Sequence, residues 1–332
     1  MSTPTSEPID VVALADAGFD ALYAERIEPM FAAREAERES GVRTFQRRAV
    51  IGGLIALAIA AGILLAFRHV GAAAFFGLFA AALAFTYAMM PLEALRKDVK
   101  RSAIGAIADA IGVRFQADNV ATPGFDRCQA LRLVPSFDRS SFEDLFHGER
   151  HGCAFDLYEA KLEEERRGKN GSTTYVTIFR GQIIQVSFPK PFHGVTVVLR
   201  DAGLFNNWRG GDLKRVGLTD PHFERTFEVY SNDQVEARAL VHPALMERLL
   251  GIEAAFKGGK VRCAFEGGVL LVVVEGGDQF EIGSMFKPLA DPLRARKIVD
   301  EIAQVMRLID TVLSAEQAAL MAYRAGKEPS GA

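Results

Sequence analysis

Two uncharged apolar runs stand almost back to back near the start of the chain, residues 49–67 and 70–90, separated only by Arg68 and His69. A helix rises about 1.5 Å per residue, so about 20 consecutive apolar residues cross a ~30 Å hydrocarbon core. Neither run holds Asp, Glu, Lys or Arg, each of which costs about 2.5–3.5 kcal/mol at the centre of an inserted helix. The pair therefore predicts a membrane hairpin. A helical hairpin buried in a soluble domain would be shorter and carry a polar stripe, whereas these runs are apolar all round. A signal peptide fits less well, because the first run begins far from Met1 and the second follows at once.

The flanks set an orientation. Arg43, Arg47 and Arg48 precede the first run, Arg96, Lys97, Lys100 and Arg101 follow the second, and the turn holds Arg68 as its one fixed cation. The positive-inside rule then puts both termini in the cytoplasm, as expected of a two-pass protein of the plasma (inner) membrane. Small residues recur at a spacing of four, Gly52, Ala56 and Ala60 on the first run and Ala73, Gly77 and Ala81 on the second. Such ridges let helix backbones approach closely in lipid. Packing of the two spans on each other is the first expectation; pairing with another membrane protein or a second copy is the alternative. No charged side chain inside the spans marks an ion or proton path, which argues against a transporter.

The remaining chain is long enough for one good-sized domain or two small ones. A net charge of −3 gives no broad basic field, so nucleic acid is not an expected partner. Cys128, Cys153 and Cys263 are odd in number and far apart, as reduced thiols of a cytoplasmic domain would be. Asn170-Gly171-Ser172 matches the glycosylation acceptor pattern, but on the cytoplasmic side it reads as a turn.

Ahead of the spans, residues 9–40 form an expected helix opened by Pro8, with Val12, Phe19, Leu22, Tyr23, Ile27 and Met30 at helical spacing. That face would lie on the membrane, pair in a coiled coil, or dock on the larger domain, docking being the default. Arg34, Arg38, Arg43, Arg47 and Arg48 would meet anionic headgroups. Beyond the spans the helix continues through residues 96–112, and residues 117–141 read as mostly irregular. Sheet signals begin at Phe155. Runs 174–179 and 182–188 meet at Arg180-Gly181 as if at a turn, and 195–199 adds a third strand of an antiparallel meander. A loop around Trp208, a strand at 223–230 and a helix at 233–256 interrupted near His242-Pro243 come next. Three strands, 261–266, 269–275 and 279–282, are punctuated by Gly267-Gly268 and Gly276-Gly277. Asp291 and Pro292 open a last helix to about Leu313, striped by Ile298, Ile302, Val305, Ile309 and Val312. The expected fold class is α+β: an N-terminal helix and two-helix transmembrane hairpin followed by a cytoplasmic antiparallel-sheet domain with packed helices. The divisions are 1–48 cytoplasmic amphipathic helix, 49–91 hairpin, 92–115 juxtamembrane helix, 116–325 cytoplasmic domain and 326–332 disordered tail.

One constellation invites chemistry. His147-Gly148-Glu149-Arg150-His151-Gly152-Cys153 places two imidazoles and a thiol within seven residues, and zinc is held by such groups, with Cys128 or Asp156 as a conceivable fourth ligand. The spacing matches neither paired Cys-x-x-Cys nor a His-Glu-x-x-His helix, and a solvated loop is the plainer reading. His193, His222 and His242 read as turn histidines. Gly258-Gly259-Lys260 lacks the first glycine and terminal hydroxyl of a phosphate loop. The run Glu163 to Glu165 followed by Arg166 and Arg167 reads as a solvated strand end and hairpin tip.

With the two-span hairpin, the segments Thr177-Ile178-Phe179-Arg180-Gly181, Phe188, Phe227-Glu228-Val229-Tyr230-Ser231, Ala244-Leu245-Met246-Glu247-Arg248-Leu249 and Phe280-Glu281-Ile282 resemble the bacterial membrane family DUF3137. The resemblance covers most of the chain and rests on apolar and glycine positions, which specify fold more than chemistry. It implies location and architecture, and no catalytic residue. The expectation is a membrane-anchored cytoplasmic binding or scaffold module with no catalytic residue and no cofactor. Its partners would be the lipid bilayer and a protein or second copy, met through the small-residue faces or the terminal helices. The alternatives are a metal-dependent hydrolase centred on His147, His151 and Cys153, and an accessory subunit of a membrane transport complex.

Overall fold

The computed structural model describes residues 10–168, 171–187, 192–200, 212–255, 260–277 and 283–325. The loop around Trp208, the strand at 279–282, Gly258-Gly259 and the tail 326–332 lie outside them. The chain divides into two compact units, one of Ala13–Ile107 with Phe280–Asp300, the other of Met1–Val12, Ala108–Gln279 and Glu301–Ala332.

A short α1 (Val11–Ala13) leads through a π-helical turn at Leu14–Gly18 into α2 (Phe19–Leu22), and in the first unit a second π-helical turn at Tyr23–Ile27 joins α2 to α3 (Glu28–Phe67). The pre-membrane helix and the first apolar run are thus one helical course. It ends at Arg68, whose backbone is left-handed at φ 51° and whose amide donates to the Leu64 carbonyl at 2.9 Å. After two residues α4 (Val70–Ala110) begins, and it carries the second run straight through Pro91 into the expected juxtamembrane helix.

The small-residue ridges meet. A Cβ built on Gly52 would stand 2.4 Å from that of Ala84, and one on Gly77 would stand 2.8 Å from that of Ala60. Ala56, Ala73 and Ala88 are buried beside them. The two apolar helices pack on each other as expected.

The docking face of the N-terminal helix is also filled. Leu14, Phe19, Leu22, Tyr23, Ile27 and Phe31 are buried, and Arg296 sets its guanidinium 5.1 Å over the Phe19 ring while donating to the Ala15 carbonyl. Glu35 accepts from the Leu289 amide at 2.9 Å, and Arg38 donates to Glu35 and to the Met285 carbonyl. Arg38 is therefore not a headgroup cation. Its amphipathic stem and fork close a turn of the chain that would otherwise leave carbonyls unsatisfied.

The second unit is built on a sheet of nine described strands, all antiparallel: β1 (Arg114–Gln116), β2 (Arg139–Arg150), β3 (Cys153–Arg167), β4 (Thr173–Ser187), β5 (Thr196–Arg200), β6 (Lys214–Val216), β7 (Phe227–Ser231), β8 (Val261–Glu266) and β9 (Val269–Glu275). Their order is β1-β2-β3-β4-β9-β8-β5-β7-β6. Successive Val, Leu and Ile side chains alternate between two covered faces, so Leu270 to Val274 of β9 are all buried. On one face α5 (Phe125–Ala130) contributes Phe125 and Cys128 to a core with Tyr158, Phe179, Ile183, Leu271 and Val273. The fold is α+β, with the long N-terminal helices preceding this sheet.

The strands β8 and β9 and their Gly267-Gly268 turn, both glycines at positive φ, fall where the sequence places them. Three expectations need correction. Arg180-Gly181 is not a turn: β4 runs unbroken through it, and Gly181 is required because a Cβ there would be 2.1 Å from the Val274 carbonyl oxygen of β9. Sheet does not begin at Phe155: β1 and β2 precede it, and residues 117–141, mostly irregular as expected, hold α5 and the start of β2, which is hidden in sequence by an irregular register between Glu143 and Phe146 around Asp144 at φ 56°. The expected strand at 223–230 is split. Its first part belongs to α6 (Pro221–Thr226), because Asp220 caps the amides of His222 and Phe223 and Pro221 fits the first helical position.

The interrupted helix becomes α7 (Gln234–Leu240), capped by Asp233, and α8 (Pro243–Ala255). Asp291 accepts from the Leu293 amide at 3.0 Å, and α9 (Pro292–Ala325) runs a dozen residues beyond the expected end. Its Ile298, Ile302 and Ile309 are buried as the stripe requires.

Candidate functional site

The largest chemical signal is a surface. Among the described residues, every exposed large apolar side chain except Tyr175, Val235, Phe286 and Leu293 lies between Val50 and Met90. Phe67, Val70, Leu65 and Leu78 are each more than 70% exposed. Only 6% of the most apolar stretch of either helix is buried. In a protein core such side chains would face other protein atoms, and a contiguous apolar surface of this extent marks a membrane or partner contact. Both helices are long and apolar enough to cross a membrane.

At the edge of that surface the arginines differ. Arg34, Arg43 and Arg96 pair with Glu37, Glu39 and Glu93 on their own helices. Arg47 and Arg48 have no carboxylate partner among the described residues. Arg48 lies 4.7 Å over the Tyr87 ring.

The histidine segment is not a loop. His147 and Arg150 belong to β2, Cys153 opens β3, and His151-Gly152 forms the two-residue turn between them, with φ of 52° and 77°. A two-residue hairpin turn of the type with positive φ at both centres fits these residues, since glycine adopts it freely and histidine tolerates it. The candidate ligands are drawn to different partners. His147 Nδ1 lies 2.6 Å from Asp156 Oδ1 on the neighbouring strand, and His151 Nε2 lies 3.0 Å from Asp310 Oδ1 of α9. Cys153 is buried, and Cys128 lies within the core on α5. Among the described residues no group of three or more His, Cys, Asp or Glu side chains is arranged to hold a metal ion.

Arg150 is what the sequence reading passed over. Its Nε and Nη2 fork onto the two Asp310 oxygens and its Nη1 reaches Asp10 at 3.3 Å. The hydrogen bond to Asp310 is the main cause that raises the Arg150 pKa. Burial works against ionisation of Asp10, yet the Val12 amide and Arg150 outweigh it and hold that carboxyl below its ordinary value. No local pattern announces this latch, because its partners are far apart in sequence.

A cleft of about 830 Å³ opens beside α5, lined among others by Arg132, Ser136, Phe137, Lys260, Arg262 and Glu275. Its cations are engaged: Arg262 donates to Glu275 at 2.8 Å and to the Leu133 carbonyl at 3.1 Å, Lys260 donates to Glu275 at 3.2 Å, and Arg132 also has a partner. Burial pushes the Cys128 and Cys263 thiols up to about 12, which disfavours their thiolates.

Fold and surface together define an α+β protein with two helices long and apolar enough to cross a membrane. Residues 177–313, from within β4 to within α9, match the model of DUF3137, described as a protein of unknown function; the match begins after the two apolar helices and so covers less of the chain than the resemblance implied. Among solved structures, the crystal structure of the mycobacterial trehalose monomycolate transport factor A, TtfA, aligns at 12% identity and a TM-score of 0.35, covering 63% of this chain and 94% of that one. So distant a likeness carries no argument. No curated protein matches.

Proposed function

We propose that this chain is a two-pass membrane protein with both termini in the cytoplasm, whose sheet domain is a non-enzymatic binding or scaffold module. The observation that carries this reading is the exposed apolar surface between Val50 and Met90, bordered by Arg47 and Arg48 at its start and by Arg96, Lys97, Lys100 and Arg101 beyond its end. Basic residues on that side and a single fixed cation, Arg68, at the turn favour cytoplasmic ends. Three cysteines outside any disulfide accord with a reducing compartment. A binding role is favoured over hydrolysis because His147, His151 and Cys153 are engaged or buried separately.

The test has two parts. Alkaline extraction of membranes holding the full chain leaves it in the pellet, and a reporter fused at its carboxyl end is active only on the cytoplasmic side. Crosslinking in intact membranes then yields a defined partner or a self-adduct. Recovery of the chain in the supernatant, or a reporter active outside, overturns the reading.

A further inference from the structure

At the Arg47–Arg48 end of the apolar surface, a hollow of about 500 Å³ opens between α3 and α4. Its walls divide by polarity. Thr44, Arg47 and Arg48 line one end, while Ile51, Gly52, Ile55 and Ala84 line the rest, with Tyr87 beside Arg48. Gly52 and Ala84 of its lining mark where the two helices come closest, a Cβ on Gly52 standing 2.4 Å from that of Ala84. From Arg48 to Ile55 the helix descends about 10 Å, which is the interval between a lipid phosphate and its upper acyl carbons.

We propose that this hollow is a binding site for one anionic glycerophospholipid, its phosphate held by Arg47 and Arg48 and one acyl chain laid along Ile51 and Ile55. The inference rests on the membrane reading above and deepens it. Charge selects the occupant. Arg47 and Arg48 are the cations left without a carboxylate while Arg43, one turn earlier, is paired with Glu39 at 3.4 Å. Among the described residues no acidic side chain lines the hollow, so a phosphate supplies the missing counter-charge, and guanidinium groups hold phosphate oxygens in a fixed fork. Tyr87 under the Arg48 guanidinium keeps that group at the interface, where amphipathic rings reside. A soluble anion would satisfy the arginines but leave the isoleucine wall bare.

The experiment is native mass spectrometry of the full chain in a non-ionic detergent, titrated with phosphatidylglycerol, phosphatidylcholine or inorganic phosphate. One phosphatidylglycerol is expected to be retained in preference to phosphatidylcholine, with Arg47→Gln/Arg48→Gln weakening that retention about tenfold and Arg43→Gln leaving it unchanged. Equal retention of both lipids, equal loss on Arg43→Gln, or displacement of the lipid by millimolar phosphate would each overturn the site. Unchanged circular dichroism of the double variant separates a lost site from a lost fold. If alkaline extraction leaves the chain in the membrane and lipid preference is absent, the site fails and the anchor stands.

Discussion

Gly52 faces Ala84 so closely across the two apolar helices that a Cβ on the glycine would come within 2.4 Å of the alanine Cβ. The obstructing atom is itself a Cβ, fixed to its helix, so no side-chain rotation relieves the clash. Gly52→Val is expected to push the helices apart and lower the stability of the solubilised protein by about 1–3 kcal/mol. Gly53→Ala, whose added Cβ meets nothing within 4 Å, leaves thermal unfolding in the same detergent unchanged. An equal effect of both would show that the contact does not hold the pair.

In the sheet, Gly181→Val places a branched side chain against the backbone of β9, with the nearest atom at 2.1 Å. Strand β4 must leave its neighbour or twist away, with loss of more than about 3 kcal/mol or failure to fold. Gly217→Ala, with open space around it, is the matched control. Denaturant unfolding monitored by near-ultraviolet circular dichroism reads the difference.

Removing the Asp310 carboxylate leaves the Arg150 guanidinium, 15% exposed, without its main counter-charge. Asp310→Ala is expected to destabilise by about 1–3 kcal/mol, more than Asp310→Asn, because asparagine still accepts one hydrogen bond. Faster hydrogen exchange confined to the His151-Gly152 turn and the facing part of α9 would confirm the latch. A silent Asp310→Ala would dismiss it.

Cys128 and Cys263 are held up to about 12 by burial from an ordinary 9.0. A thiol whose folded pKa is raised binds its proton more tightly in the native state. Its contribution to stability is complete below pH 9 and is lost as pH rises through the folded value. Stability should therefore fall between pH 9 and about 12, and at pH 8 iodoacetamide should label these two residues only after unfolding. Peptide mapping of the alkylated protein decides it, and rapid native labelling of either would contradict the burial.

Local signals served well where chain neighbours alone decide the outcome. Gly267-Gly268 between two apolar runs could only be a tight hairpin, and Asp291-Pro292 could only start a helix. They misled where a distant segment decides. Gly181 looks like turn punctuation until β9 is seen to press on it, and the absent side chain is a clearance rather than a bend. The irregular pairing near Asp144 broke the alternation that would have revealed β2. For the candidate sites, the apolar surface was legible because the length and composition of each helix can be read from its own run of residues. The Arg150–Asp310 latch and the hollow beside Arg48 were not, since each needs two elements placed in space.

The seam between β4 and β9 pairs Gly181 with Glu275, so the strand that completes the middle of the sheet is made long after its partner. On a chain anchored as proposed, synthesis delivers the two greasy helices to the bilayer first, then a four-stranded stack, β1-β2-β3-β4, ending in an open β4 border. Until β9 emerges, that border has free amides and carbonyls at a membrane crowded with other nascent chains. Mispairing at this stage, more than loss of the finished fold, is the hazard such a topology carries.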